Sequence, residues 1–141
     1  MATRSRIAIE TTDTSGNKVI KSIYCHFDGY FAGVGKTLMD NYQDREKVEA
    51  LISLGDISFL KEEITPSGSH SFNSTEKGVT VAYHRDRGEK FNPPRINASV
   101  SEFFSSDIGY GYLFTEEGEW LGKESGGSRD PMTLESHFSL Q

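Results

Sequence analysis

The fold of this chain follows from residues 6–27, which read RIAIETTDTSGNKVIKSIYCHF. Residues 6–12 and 19–27 alternate apolar with polar side chains and are rich in β-branched residues, which is the pattern of half-buried β-strands. Residues 15–17, SGN, lie between them and favour a turn. The stretch therefore predicts a β-hairpin.

After the hairpin the apolar residues follow a helical period. Val34, Leu38 and Tyr42 lie four residues apart and predict a short helix. Asp44 is the predicted N-cap of a second helix, because its side chain can accept a hydrogen bond from a free backbone N–H. Gly55 is predicted to end that helix, and the apolar face consists of residues 48, 51, 52 and 54.

The second half of the chain adds further strands. Residues 78–84, GVTVAYH, predict a strand by their β-branched and aromatic content, and the serine-rich residues 66–77 before them predict a loop. Residues 110–114 and 119–121 flank a turn at 116–118 and predict a second hairpin. We therefore expect a single α+β domain over residues 1–121, with a mainly antiparallel sheet and two or three short helices on one face. Residues 122–141 are rich in serine and glycine and predict a flexible tail.

Composition limits the functional classes. The 141 residues include 21 acidic and 15 basic side chains, for a formal charge of −6, which disfavours binding to nucleic acid. The single cysteine, Cys25, cannot form an intrachain disulfide, and no apolar run is long enough for a membrane span. These features predict a soluble, intracellular protein without a membrane partner, and exposed edge strands leave a homodimer open.

Residues 29–38, GYFAGVGKTL, resemble the end of a phosphate-binding P-loop. The P-loop pattern requires four residues between its two glycines, but five lie between Gly29 and Gly35, and Tyr30 occupies the position of the first glycine. The glycines are better explained by a sharp turn from strand to helix, with Lys36 a solvated residue of that helix.

Two His-x-Asp triplets are candidates for chemistry, since each lies at the end of a predicted strand. Residues two apart on a strand share a face, so the two imidazoles and two carboxylates could converge for acid–base catalysis on a phosphate, with or without a divalent metal. The alternative is that these residues cap turns in solvent. The candidate catalytic residues are His26, Asp28, His84 and Asp86.

The same two segments carry a candidate ligand site. Arginine suits bidentate contacts to phosphate or carboxylate, and aromatic rings beside arginines suit a nucleotide or an acidic peptide. The alternative is that the tyrosines pack in the core and the arginines form surface ion pairs. The candidate ligand-binding residues are Tyr24, His26, Asp28, Tyr30, Tyr83, His84, Arg85 and Arg87.

Three other residue types have plainer interpretations. Cys25 lies inside a predicted strand and is expected to be a small buried apolar residue, because no base or helix N-terminus is placed to activate it. Trp120 is expected in the core. His70 and His137 fall in the predicted loop and tail, so we expect both to be solvated.

Several segments resemble a family of small proteins encoded by tailed bacteriophages and prophages. They are RSRIA at 4–8, SIYCHFDGY at 22–30, GVGKTL at 33–38, DREKV at 44–48, LGDIS at 54–58, GVTVAYHRDRGE at 78–89 and the closing hairpin at 112–120. The resemblance implies a setting in the cytoplasm of an infected bacterium, but no mechanism.

In that setting we expect a non-enzymatic accessory protein that binds a host or defence protein or a small, anionic, nucleotide-like ligand, without a cofactor or metal. The alternative is a phosphodiesterase or nuclease-like enzyme that uses the two triplets.

Overall fold

The computed structural model describes residues 3–105, 109–124 and 131–139. These residues form one α+β domain with a mixed sheet and short helices, as the sequence predicted. The strands are β1 (Ser5–Thr12), β2 (Lys18–Cys25), β3 (Ile57–Phe59), β4 (Val81–Ala82), β5 (Arg95–Asn97), β6 (Tyr110–Phe114), β7 (Trp120–Glu124) and β8 (Met132–Thr133). The helices are α1 (Lys36–Asn41), α2 (Arg45–Ser53), α3 (Tyr83–Arg87), α4 (Val100–Phe104) and α5 (Leu134–Ser139), and a π-helical turn, Phe31–Gly35, leads into α1.

The sheet is built around the predicted hairpin of β1 and β2. Its strand order is β4-β3-β2-β1-β6-β7-β8, and β5 also pairs with β2. Two of the neighbouring pairs, β1 with β6 and β2 with β3, are parallel, while the other pairs are antiparallel. In the register of β3, Cys25 and Ala82 both lie opposite Ile57. The ends of β2 and β4 therefore meet beside β3, where the candidate residues lie.

Both faces of the sheet are covered. Ile7, Ile23 and Cys25 belong to an apolar cluster with residues of α1 and α2. On the opposite face, Ala8 packs in a second cluster with Phe103 of α4. Neighbouring residues of β1 point to opposite faces of the sheet, so the buried first five residues of the strand supply both clusters. Helix α4 was not expected on that second face.

The local structure of α2 confirms its predicted ends. The Asp44 carboxylate accepts a hydrogen bond from the Glu46 N–H and caps the helix. Gly55 follows the last turn with a φ of 78°, a left-handed conformation that glycine adopts without strain. Apolar residues of α2, among them Leu51, are fully buried, so packing against the sheet holds this short helix.

The chain turns sharply from β2 into α1, as the glycines predicted. The backbone N–H of Val34 donates to the carbonyl oxygen of Asp28 at 2.8 Å, and a Cβ on Gly33 would collide with that same oxygen. Lys36 begins α1 and lies 3.4 Å from Asp40, one turn further along. The geometry is that of a tight strand-to-helix connection, with the Lys36 ammonium paired on the helix surface.

Two segments differ from their predicted structure. The predicted strand 78–84 is regular only at 81–82, because residues 83–87 form a helical turn that the Asp86 carboxylate stabilises by accepting the Ala82 N–H at 2.8 Å. In the predicted tail, β7 continues to Glu124 and residues 132–139 form β8 and α5, with Leu134 fully buried. Residues 125–130 and 140–141 of that tail lie outside the described residues.

No helix in the described ranges combines the length and the apolar character needed to cross a membrane.

Candidate functional site

The first group of candidate residues follows the end of β2. Tyr24 and His26 lie on the same face, and the Tyr24 hydroxyl is 2.6 Å from His26 Nδ1. Burial raises the pKa of Tyr24, and the Arg4 charge opposes that rise only in part. Asp28 has a φ of 58° and is exposed, and Tyr30 is also exposed. Tyr24 and His26 therefore form a pair, whereas Asp28 and Tyr30 lie at the turn.

The second His-x-Asp triplet lies in the helical turn α3, so its two members do not share a face. The His84 side chain lies at the surface, with Nδ1 2.7 Å from the carbonyl oxygen of Glu89 and its ring against Phe91. The Asp86 side chain points inward and is only 4% exposed. The described contacts pair His26 with Tyr24, and Asp86 with Arg85 and the Ala82 N–H. No contact between the two triplets is among them, so a shared site stays a prediction.

Arg85 is bound to the protein itself. Its guanidinium donates to the carbonyl oxygens of Ile64 at 2.5 Å and Thr80 at 2.7 Å. It also donates twice to the Asp86 carboxylate, at 2.8 and 3.1 Å. The arginines were predicted to make this bidentate contact with a phosphate, but the bidentate partner of Arg85 is the Asp86 carboxylate of the protein itself.

The other two α3 candidates contact the loop that precedes β4. The Tyr83 ring packs against Phe72 with a centroid distance of 5.8 Å. The guanidinium of Arg87 lies 4.8 Å from the centre of the same Phe72 ring and 3.3 Å from the Glu89 carboxylate. Tyr83 and Arg87 therefore form a platform for Phe72.

His70 is buried, so the prediction that it is solvated is wrong. Its side chain is 1% exposed, and Nε2 lies 3.0 Å from a carboxylate oxygen of Asp86. Nδ1 accepts the Glu76 N–H at 2.9 Å, which places the proton of the neutral ring on Nε2, the atom beside the carboxylate. The Nε2–H bond is poorly aligned with that oxygen, so the contact is electrostatic more than a directed hydrogen bond.

Asp86 is the common partner of these groups. Desolvation by burial raises the pKa of its carboxyl, but the hydrogen bonds from Arg85 and the Ala82 N–H, together with the adjacent His70 ring, outweigh burial and hold the pKa below its usual value. Asp86 is therefore a carboxylate at neutral pH, and its charge fixes both α3 and the preceding loop.

Beside this network lies a groove with a volume of about 480 Å³, which is within the usual size range of small-molecule sites. The rings of Phe27 and Phe59 stack on its wall, 4.5 Å apart and 16° from parallel. We call this cavity the aromatic groove, and it is lined by Phe27, Ser58, Phe59, Lys61, Phe72, Thr75, Glu76, Lys77, Gly78, Val79 and Val81.

The aromatic groove adjoins the candidate residues, but none of them lines it. Phe27 follows His26 and packs edge-on against that imidazole, with centroids 4.5 Å apart. Phe72 rests on Tyr83 and Arg87. The lining residues Phe27, Phe59 and Phe72 were not among the predicted site residues, because they come from three separate segments that only the fold brings together.

The groove has a positively charged rim. Lys61 and Lys77 are exposed, and neither forms an ion pair within the described part of the chain. Glu76 also lines the groove, but its carboxylate accepts hydrogen bonds from Ser67 and Gly68. The ammonium groups are therefore available to a ligand, whereas the carboxylate is already bonded.

Two other kinds of site, a metal centre and a cysteine nucleophile, have little support among the described residues. Within residues 3–105, 109–124 and 131–139, no group of three or more His, Cys, Asp or Glu side chains could hold a metal ion. Cys25 is fully buried, as predicted, and burial raises the pKa of its thiol to about 12. A thiol in this state is a poor nucleophile at neutral pH.

Comparison with models of protein families, with curated proteins and with solved structures finds no match to this chain. The function must therefore be argued from the chemistry of the aromatic groove and its surroundings.

Proposed function

We propose that this protein is a non-enzymatic binding protein whose aromatic groove holds a small, planar, negatively charged ligand of the nucleotide type. The observation that carries the proposal is the stacked pair Phe27 and Phe59, which lines one cavity with Phe72 and the unpaired cations Lys61 and Lys77.

The aromatic lining suits a flat ring. Nucleic-acid bases stack on aromatic side chains with about 1–3 kcal/mol each, whatever the base. The buried Val79 and Val81 also line the cavity and exclude water from the ring of the ligand. A planar aromatic group can therefore enter with apolar contacts on several sides.

The charge of the rim suits an anion. Lys61 Nζ lies 5.4 Å from the centre of the Phe59 ring, so the ammonium is held near the stacked pair. Lys77 lies on the loop and also lines the groove. A phosphate attached to a stacked base would meet one or both ammonium groups, which bind phosphate as point charges.

Binding is better supported than hydrolysis by the described geometry. His26 Nδ1 is occupied by Tyr24, His84 Nδ1 lies against the Glu89 carbonyl, and the Asp86 carboxylate is bound by Arg85. A general acid and base must both reach one substrate atom, and these groups contact different parts of the protein.

The resemblance to tailed-phage proteins gives the proposal its setting. We propose an accessory protein in the cytoplasm of the infected bacterium that sequesters a nucleotide signal of the host defence. A host protein as partner is the other outcome of the experiment, and it would contact exposed apolar side chains such as Tyr30 and Ile96.

The test begins with protein purified from bacteria under gentle conditions, denatured, and analysed by mass spectrometry for released nucleotides. Isothermal titration with adenine and guanine mono-, cyclic and dinucleotides then measures affinity. We expect at least one to bind saturably. Phe59→Leu should weaken it by about tenfold or more, because it keeps apolar volume but removes the stacking face.

Phe91→Leu is the matched control, because Phe91 is an exposed phenylalanine outside the groove. It should leave the affinity unchanged. The proposal is refuted if no nucleotide is released and none of the panel binds at millimolar concentration. Recovery of a stoichiometric host protein instead would assign the function to the surface around Tyr30 and Ile96.

A further inference from the structure

The loop at residues 65–77 forms one side of the aromatic groove. Phe72, Thr75, Glu76 and Lys77 line the cavity from this loop, opposite the lining residues of β3 and of the end of β2. Most other side chains of the loop are exposed. The width of the groove therefore depends on where this loop is held.

The loop is closed on itself by one carboxylate. Glu76 accepts hydrogen bonds from the Ser67 N–H at 3.1 Å, the Ser67 hydroxyl at 3.0 Å and the Gly68 N–H at 2.7 Å. The pKa of the Glu76 carboxyl is lowered, and the hydrogen bond from the Ser67 N–H is the largest cause. Desolvation opposes this with a smaller effect, and the bonds from the Ser67 hydroxyl and the Gly68 N–H lower the pKa further. Ser71 and Ser74 form a turn between these ends. These bonds tie the two ends of the loop together.

His70 and Phe72 fasten the loop to α3. His70 places Nε2 beside the Asp86 carboxylate at 3.0 Å, and the Phe72 N–H donates to the Asp86 carbonyl oxygen at 3.1 Å. The Phe72 ring rests on Tyr83 and Arg87. Phe72 is the single large apolar side chain of the loop, and a segment with few apolar residues can open at a lower free energy than global unfolding.

We propose that His70 is a positioning residue for the aromatic groove, which latches the loop 65–77 to Asp86 and so sets the distance between Phe72 and the stacked pair Phe27 and Phe59. The ligand part of this inference rests on the proposed function, whereas the latch itself does not. His70 does not line the groove, so it acts through the position of Phe72.

The charges around His70 are consistent with a latch. The Asp86 carboxylate faces Nε2, and Arg85 holds that carboxylate in place by two hydrogen bonds. The Glu76 carboxylate accepts hydrogen bonds from Ser67 and Gly68, and the Glu76 N–H is the group that donates to the ring. The His70 ring therefore connects the loop to α3: Nδ1 accepts the Glu76 N–H of the loop, and Nε2 lies beside the Asp86 carboxylate of α3.

Two substitutions separate these roles. In His70→Asn, the side-chain oxygen can replace Nδ1 as acceptor for the Glu76 N–H, but the side chain is too short to reach Asp86. In His70→Gln, the longer amide can reach Asp86 from the position of Nε2. If the latch is the contact with Asp86, Gln restores the function and Asn does not.

The first measurement is amide hydrogen exchange by NMR in the absence of ligand. We expect His70→Asn to speed exchange at the Phe72 amide by at least tenfold while the amides of β1 stay at wild-type rates, and we expect His70→Gln to stay within about threefold of wild type at Phe72. Asn73→Ala, an exposed change in the same loop, should alter none of these rates.

The second measurement is titration with AMP, in which His70→Asn should bind about tenfold more weakly and His70→Gln close to wild type. If wild-type protein does not bind AMP, the ligand part fails and the exchange result alone decides the latch. The latch is overturned if Phe72 exchange is unchanged in His70→Asn, or if the β1 amides accelerate equally, since His70 would then support the whole fold.

Discussion

Arg85→Met is the substitution that best separates a structural arginine from a ligand-binding one. The Arg85 guanidinium donates to the carbonyls of Ile64 and Thr80 and twice to the Asp86 carboxylate. Methionine keeps most of the apolar stem of the side chain but removes every donor. The two carbonyls then lose this donor, and the Asp86 carboxylate keeps only the Ala82 N–H and the adjacent His70 ring among its described partners.

The hydrogen bonds of Arg85 set the expected decrease in the free energy of unfolding. A hydrogen bond that involves a charged group contributes about 1.5–3 kcal/mol, and removing one partner of a buried ion pair costs about 3–5 kcal/mol. The Arg85 side chain is 27% exposed and that of Asp86 4%, so water can replace part of what is lost. We therefore expect the lower end of the range, about 3 kcal/mol.

Urea denaturation followed by circular dichroism measures this loss. With an m-value near 2 kcal/mol/M, about 3 kcal/mol lowers the midpoint by about 1.5 M. Arg87→Met is the matched control in the same helical turn, because the Arg87 side chain is 55% exposed and its partners among the described residues are Glu89, at the surface, and the Phe72 ring. It should cost less than about 1 kcal/mol.

Two results would refute the reasoning. If Arg85→Met and Arg87→Met have equal midpoints, the internal hydrogen bonds of Arg85 contribute little. If Arg85→Met keeps its stability but loses nucleotide binding, Arg85 contacts the ligand, as its place among the candidate residues first suggested.

Three further predictions concern single side chains. Lys36→Ala should change the unfolding free energy by less than about 0.5 kcal/mol, whereas Leu38→Ala, at a fully buried position, should cost about 2–5 kcal/mol in the same urea assay. Native Cys25 should not react with Ellman's reagent at pH 8 until urea unfolds the protein, because burial raises its pKa to about 12. The pKa of the Asp86 carboxyl is lowered in the folded protein. Its contribution to stability is therefore present above about pH 4 and is lost as the pH falls through that lowered value. Unfolding curves in acid should show a smaller pH dependence of stability for Asp86→Asn than for wild type.

Local patterns predicted the centre of this fold correctly. The alternation in residues 6–27 predicted the hairpin because a strand with one buried face has a period of two. Asp44 predicted the start of α2 because an N-cap acts within three residues of its own position. The burial of Cys25 and Trp120 was also predicted, and both lie in the core.

Contacts between distant residues could not be predicted in this way. Nothing in the serine-rich loop distinguishes His70 from a solvated histidine, because its partner Asp86 lies 16 residues further along and faces it only after α3 has formed. That helix in turn depends on the Asp86 carboxylate accepting the Ala82 N–H. Residues 83–84 were predicted as strand from β-propensity, which does not include such a contact.

The same limit explains why the arginines of α3 resembled an anion site. A sequence shows how many cationic groups a segment carries, but a ligand can use only those that lack an internal partner. Arg85 is bound to Asp86 and two carbonyls, and Arg87 to Glu89 and the Phe72 ring. Lys61 and Lys77 lie in segments with no obvious motif, yet they are the cations that line the groove. Under the proposed function, Arg87 acts on the ligand indirectly through its contact with the Phe72 ring, and Arg85 acts through the Asp86 carboxylate that it holds.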